Sequence, residues 1–182
     1  MFRHIRLLAV LLLAFAPVSA EAGPPKNWEP ADGPVALPTE SFTDALGIER
    51  RLSDFRGKVV ALNLWATWCA PCVREMPDLD KLQAALGGAD FEVIALSSDR
   101  AGLAKVEPFY RRAGIRHLEI YLDPKNAIAR RLKVRGLPTT FIIDAEGRIL
   151  GSVAGAMDWS APWVVDWLKE IIGNRQQQAK VE

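Results

Sequence analysis

The stretch from Lys58 to Trp65, Lys-Val-Val-Ala-Leu-Asn-Leu-Trp, is apolar at odd and even positions alike, with Asn63 the one interruption after the leading lysine. Successive side chains of a strand point to opposite faces of a sheet, so such a run needs cover on both sides. It predicts a central strand, not an edge. The flanking segments change period to supply that cover. Helical spacing runs from Cys69 to Leu86 through Val73, Met76, Leu79, Leu82 and Leu86, with Gly87 and Gly88 as the stop. A strand is predicted over Phe91 to Leu96, a helix over Leu103 to Ala113, then a short strand over Ile120 to Leu122 and a short helix over Asn126 to Leu132. Thr139 to Ile143 and Ile149 to Val153 flank Asp144-Ala145-Glu146-Gly147, a turn signal that implies an antiparallel hairpin. The last helix, Ser160 to Ile172, carries one apolar face through Trp163, Val164, Trp167, Leu168, Ile171 and Ile172. Upstream, Ser41 to Thr43 and Ile48 to Arg51 could pair as a short hairpin. Strands alternating with helices give an α/β sandwich around a central mixed β-sheet, with helices on both faces.

The ends of the chain read differently. Arg3, His4 and Arg6 precede an apolar run from Leu7 to Ala16, and Pro17 leads into small residues. That order predicts an export signal over residues 1–22, cut after Ala20 or Ala22. The apolar run is shorter than the roughly 20 residues that span a bilayer, and an uncut signal would be a short anchor on the same side of the membrane. Either way the folded part is expected in the periplasm. Residues 23–38 hold Pro24, Pro25, Pro30, Pro34 and Pro38, which predicts an extended tether or edge segment; an arm packed on the domain through Trp28 is the alternative. The domain then runs over residues 39–172, and 173–182 reads as a flexible polar tail. Among 182 residues, 49% hydrophobic and 25% charged, the composition is that of a globular chain, and a net charge of +1 points to no nucleic-acid partner.

Only two cysteines are present, too few for a disulfide framework in an exported domain. Cys69 and Cys72 stand three apart, a spacing that random placement gives in about one arrangement in a hundred. They fall where the predicted central strand ends and a helix begins. Free amides at a helix N-terminus carry partial positive charge, which stabilises a thiolate at Cys69 and lowers its pKa. Pro71 sits in the first turn, where its missing N–H does little harm, and fixes φ there. Such a dithiol can attack a foreign disulfide and resolve the mixed intermediate from within. Three other uses of the pair compete with this one. A structural disulfide would close a loop too small to stabilise much. Zinc wants about four ligands, and past the leader the chain offers only these two cysteines and a single histidine, His117. Copper(I) held between the two thiolates stays open.

Trp65-Ala66-Thr67-Trp68-Cys69-Ala70-Pro71-Cys72 at the end of a buried strand resembles the thioredoxin superfamily, and Gly136-Leu137-Pro138-Thr139 looks like its second mark, a loop with a cis-proline. Cys-X-Pro-Cys followed by Glu75 and Pro77 is similar to the exported TlpA/ResA/CcmG branch, closest to TlpA-like members, over residues 38 to 172. The resemblance implies a thioredoxin-like fold with an N-terminal β-hairpin extension and a central βα insertion. It makes Cys69 the exposed attacking thiol and Cys72 the buried resolving one. The Cys69–Cys72 disulfide is then the redox centre, with no further cofactor and no metal. A cis Pro138 would set the backbone of Leu137 beside the sulfurs for a partner strand, and Trp68, Ala70 and Pro71 would shape the docking surface. Glu75 lies one helical turn beyond Cys72 and would handle its proton, unless it is a solvated helix residue. Thioredoxins carry a buried acid where this chain has Asn63, which is expected to hold nearby backbone or an ordered water.

Ala70-Pro71 between the cysteines, with no histidine there, favours a reductant. The resemblance implies electrons from a DsbD- or CcdA-like membrane donor, delivered to apocytochrome c or to a copper-delivery protein of oxidase assembly. A peroxidase is disfavoured, because Cys69 lacks the Pro-xxx-Thr-xx-Cys arrangement around it. Arg111, Arg112 and Arg116 read as a solvated face or as a selector of an acidic partner.

Overall fold

The computed structural model describes residues 23–33 and 35–178, so the predicted leader lies outside the described residues. Its centre is β4, Val59–Trp65, buried at every position. Val59, Ala61 and Trp65 join one apolar cluster and Val60, Leu62 and Leu64 another, the two-sided burial that the sequence requires. β4 pairs parallel with β5, Phe91–Ser97, and antiparallel with β7, Thr139–Ile143. β8, Ile149–Ala154, continues outwards from β7, and β6, Tyr121–Leu122, from β5. The hairpin of β2, Ser41–Asp44, and β3, Glu49–Arg51, adds antiparallel to β6. With β1, Trp28–Pro30, the sheet has eight strands in the order β1-β8-β7-β4-β5-β6-β2-β3.

One face is covered by α1, Ala70–Leu86, α2, Leu103–Ala113, and α4, Pro162–Gln178, which bring Met76, Leu79, Leu82, Val106, Phe109, Val164 and Leu168 into the first cluster. The other face is covered by α3, Ala127–Arg131, through Ile128, and by the short turn of 3-10 helix at Leu52–Phe55 through Leu52. This is a thioredoxin-like α/β fold. β6 and α3 fill the expected central insertion. The turn between β7 and β8 is held by Asp144, whose Oδ1 accepts the N–H of Glu146 at 3.1 Å and of Arg148 at 2.7 Å, and Gly147 supplies a φ of +83°.

Two expectations need correction. Of the readings of residues 23–38 the edge segment and the packed arm hold and the free tether does not, because β1 pairs antiparallel with β8 at the edge of the sheet, in the register Trp28 to Val153. Trp28 packs edge-on to Trp167 with ring centroids 5.2 Å apart, and it crosses Gly151 so closely that a Cβ there would lie 2.4 Å from the indole. The prolines' extended bias suits an edge strand, and the aromatic contact, read in the sequence as the alternative, fastens it to the domain. Nor does the last helix stop at Ile172: it runs to Gln178. A single Gly173 weakens a helix by only about 1 kcal/mol, and the arginine and glutamines after it are good helix formers.

Candidate active site

β4 delivers the chain to the site and α1 carries it away. Between them Thr67 is fixed by a carboxylate: Asp99 accepts its N–H at 2.8 Å and its hydroxyl at 2.7 Å, and Ser97 donates to the same carboxylate at 2.9 Å. The loop before the cysteines is therefore tied to the end of the neighbouring strand β5. Cys69 is the N-cap of α1 in extended conformation, with φ −88° and ψ 100°. Its Sγ accepts the N–H of Cys72 at 3.3 Å, and its carbonyl accepts that of Val73 at 3.0 Å. A sulfur takes the place of the usual hydroxyl or carboxylate cap and faces the positive end of the helix.

The two cysteines form a disulfide with Cα atoms 5.3 Å apart. Cys72 is fully buried, whereas Cys69 keeps 6% of its surface in contact with solvent. The resemblance suggested a more exposed Cys69; in the disulfide only a sliver of it is reachable. Around it Trp68 stands 69% exposed, Ala70 is exposed and Pro71 is half-buried. The Leu137–Pro138 bond is cis. Pro138 is buried, and Leu137 packs on the apolar cluster that contains both sulfurs. Thr139 donates its hydroxyl to the Gly136 carbonyl at 2.8 Å, and Gly155 donates its N–H to that of Pro138 at 2.9 Å.

Glu75 is 2% exposed, one turn beyond Cys72 on the inner side of α1, which excludes the solvated reading. Its hydrogen bonds come from β4 on one side and from the segment before α4 on the other. Asn63 Nδ2 donates to Oε1 at 2.8 Å, and the Met157 N–H and Trp159 Nε1 donate to Oε2 at 3.1 and 3.2 Å. Burial pushes the carboxyl up to about 7, opposed by the hydrogen bonds from Asn63, Met157 and Trp159 and reinforced by the negative charge of Asp78. Near neutrality such a group can hold or release a proton.

Asn63 differs from expectation. Its amide donates to Glu75 and, at 2.9 Å, to Thr140 Oγ1, so it binds side chains and not backbone, and its buried Oδ1 has no partner. β4 turns Asn63 towards α1 on the same face as Ala61 and Trp65, and β7 places Thr140 opposite it in register. Asp99, Thr140, Met157 and Trp159 were missed from the sequence. Only Asp99 left a signal there, a Ser-Ser-Asp run directly after a strand.

A disulfide capping the first helix after a central strand, with a cis-proline loop packed on the same cluster, defines a thioredoxin-fold protein with a dithiol–disulfide centre. Comparison with known proteins narrows the class: the chain belongs to the AhpC/TSA family, whose pattern matches residues 35–151, and to the ResA-like thiol-disulfide oxidoreductases of the thioredoxin superfamily. It is 40% identical over 116 residues to the thiol-disulfide oxidoreductase ResA of Geobacillus kaustophilus, a match covering 64% of this chain and 66% of that one, just under two thirds of its length. To ResA of Bacillus thuringiensis subsp. konkukian it is 33% identical over 134 residues, 74% of this chain and 75% of the relative. A solved thiol:disulfide interchange protein of Chlorobium tepidum superposes with a TM-score of 0.60 at 26% identity, covering 77% of this chain and 97% of that one.

Proposed function

We propose that this protein is a periplasmic reductant of particular protein disulfides, acting in cytochrome c maturation or in assembly of the oxidase copper site. The observation that carries the reading is the placing of the pair: Cys69 Sγ accepts the Cys72 N–H at the head of α1, and Glu75 lies buried one turn on with its carboxyl raised to about 7. In the reduced protein the Cys69 thiolate attacks one sulfur of the target disulfide, forming a mixed disulfide and releasing the other target sulfur as thiolate. Cys72 gives its proton to ionised Glu75 and attacks Cys69 Sγ, which expels the second target sulfur. Two electrons pass to the target, and Cys69–Cys72 is left oxidised. The centre must then be reduced again by a membrane donor of the DsbD or CcdA kind.

Export rests on the pattern of residues 1–22, and no helix among the described residues is long and apolar enough to cross a membrane. The alternative, a copper(I)-binding assembly module using the same two sulfurs, gains no further ligand, since no group of three or more His, Cys, Asp or Glu converges among the described residues. Equilibration with glutathione tests the reading. The parent is expected to exchange and Cys69→Ser to lose exchange altogether, while unchanged exchange in Cys69→Ser would refute the role of this sulfur.

A further inference from the structure

Three hollows on one side of the molecule run into one another, and the thiol chemistry leaves their charged rim unused. The first, about 270 Å³, lies between Trp68, Arg130, Arg135 and Leu137. The second, about 470 Å³, shares Arg135 and Leu137 with it and extends past Lys133 and Pro138 to Ser152. The third, about 380 Å³, shares Lys133 and Ser152 with the second and reaches Arg131 and Glu29 at β1. Together they form a groove that starts at Trp68 and Leu137, beside the disulfide, and follows the end of α3 towards β1.

Its charge is one-sided. Arg130, Arg131, Lys133 and Arg135 are all exposed along it, against the single carboxylate of Glu29. Arg131, Lys133 and Arg135 enter none of the ion pairs among the described residues, and the Arg130 guanidinium donates to the Lys125 carbonyl and to no carboxylate among them. On the far side of Trp68, a hollow of about 450 Å³ adds Arg100 and Lys105, and the Asp99 carboxylate there is already taken up by Thr67 and Ser97. A chain with a net charge of only +1 thus gathers six cations along this groove and the hollow across Trp68 from it. Arg111, Arg112 and Arg116, the trio prominent in the sequence, line none of these hollows.

We propose that this groove receives an extended segment of the protein substrate carrying Asp or Glu beside its disulfide, so that the cations select an acidic target. This rests on the thiol-disulfide reading above and adds to it the chemistry of the substrate. Exposed cations of this kind act mainly through steering and registration, so selection appears in association and fades with salt.

The test separates binding from redox chemistry. Three fluorescein-labelled peptides of equal length, with serine in place of cysteine and flanked by acidic, neutral or lysine residues, are titrated by anisotropy against the full chain carrying Cys69→Ser and Cys72→Ser. The matching disulfide peptides are then reduced by the parent protein. At low salt the acidic peptide is expected to bind and to be reduced about tenfold better than the lysine peptide, with the gap closing at high salt. Lys133→Glu with Arg135→Glu should reverse the order, and Arg112→Glu, away from the groove, should leave it unchanged.

Equal behaviour of the three peptides, or indifference to the Lys133→Glu/Arg135→Glu reversal, overturns the proposal. So does capture of phosphatidylglycerol vesicles in preference to the acidic peptide, or self-association through this face. Failure of the parent to exchange with glutathione would instead sink the redox reading, and anisotropy would still report on the groove.

Discussion

Glu75 and Asn63 show how single residues set the chemistry. Three donors favour the charged carboxylate, yet burial outweighs them and leaves the group titrating at about 7. If ionised Glu75 accepts the Cys72 proton, resolution of a mixed disulfide should accelerate as pH rises through that value. Glu75→Gln should remove this inflection and slow resolution at pH above 7 by about tenfold or more, read by stopped-flow release of a chromogenic thiol. The replacement fits the site, because the Asn63 amide can turn its unpartnered Oδ1 towards the new NH₂ group. Superimposable pH profiles would show that Glu75 does not handle the proton. The helical spacing made Glu75 legible as a neighbour of Cys72. Its burial was not, since the same spacing suits a solvated position.

Among the elements, β1 is a short strand whose one large apolar contact is made by a single side chain, Trp28. Three residues pair with β8, and Trp28 covers Gly151 and meets Trp167 of α4. Trp28→Ala is expected to lower stability by about 2 kcal/mol in chemical denaturation and to speed amide exchange along β8 near Gly151 to Val153. A stability within error of the parent would mean that β1 is held by its backbone pairing alone. Gly151→Ala should act in the same direction, because its new methyl occupies space held by the indole. From β2 to β8 the strands and α-helices were readable within a residue or two, since period and turn chemistry are properties of contiguous sequence: α2 was expected at Leu103 to Ala113 and lies there. A tryptophan amid prolines carries no period, so its partner could not be named.

For the molecule as a whole, a raised carboxyl makes stability depend on pH. The unfolded chain releases the Glu75 proton near 4.5, while the folded chain keeps it up to about 7. Between these values the folded state binds more protons, so raising the pH favours unfolding, and the loss is complete above about 7. At about 1.4 kcal/mol for each unit of difference, the penalty is on the order of 3 kcal/mol. Denaturant midpoints of the parent should fall across this window, and those of Glu75→Gln should fall much less. Equal slopes for the two proteins would place the buried charge elsewhere.

Spacing and period sufficed for the two-sided strand β4, the helix that begins at Cys69 and the dithiol at their junction, because those features depend on residues close together in the chain. Pairing across the fold had to supply what surrounds them. Asn63 finds Thr140 77 residues away, and Glu75 finds Trp159 84 residues away, contacts that no local pattern encodes. The same holds for Arg130 and Arg135, which share a hollow with Trp68 only because the sheet brings β7 beside β4. A thiol pair can be recognised from its spacing, but desolvation and charge at a site are sums over everything folded around it.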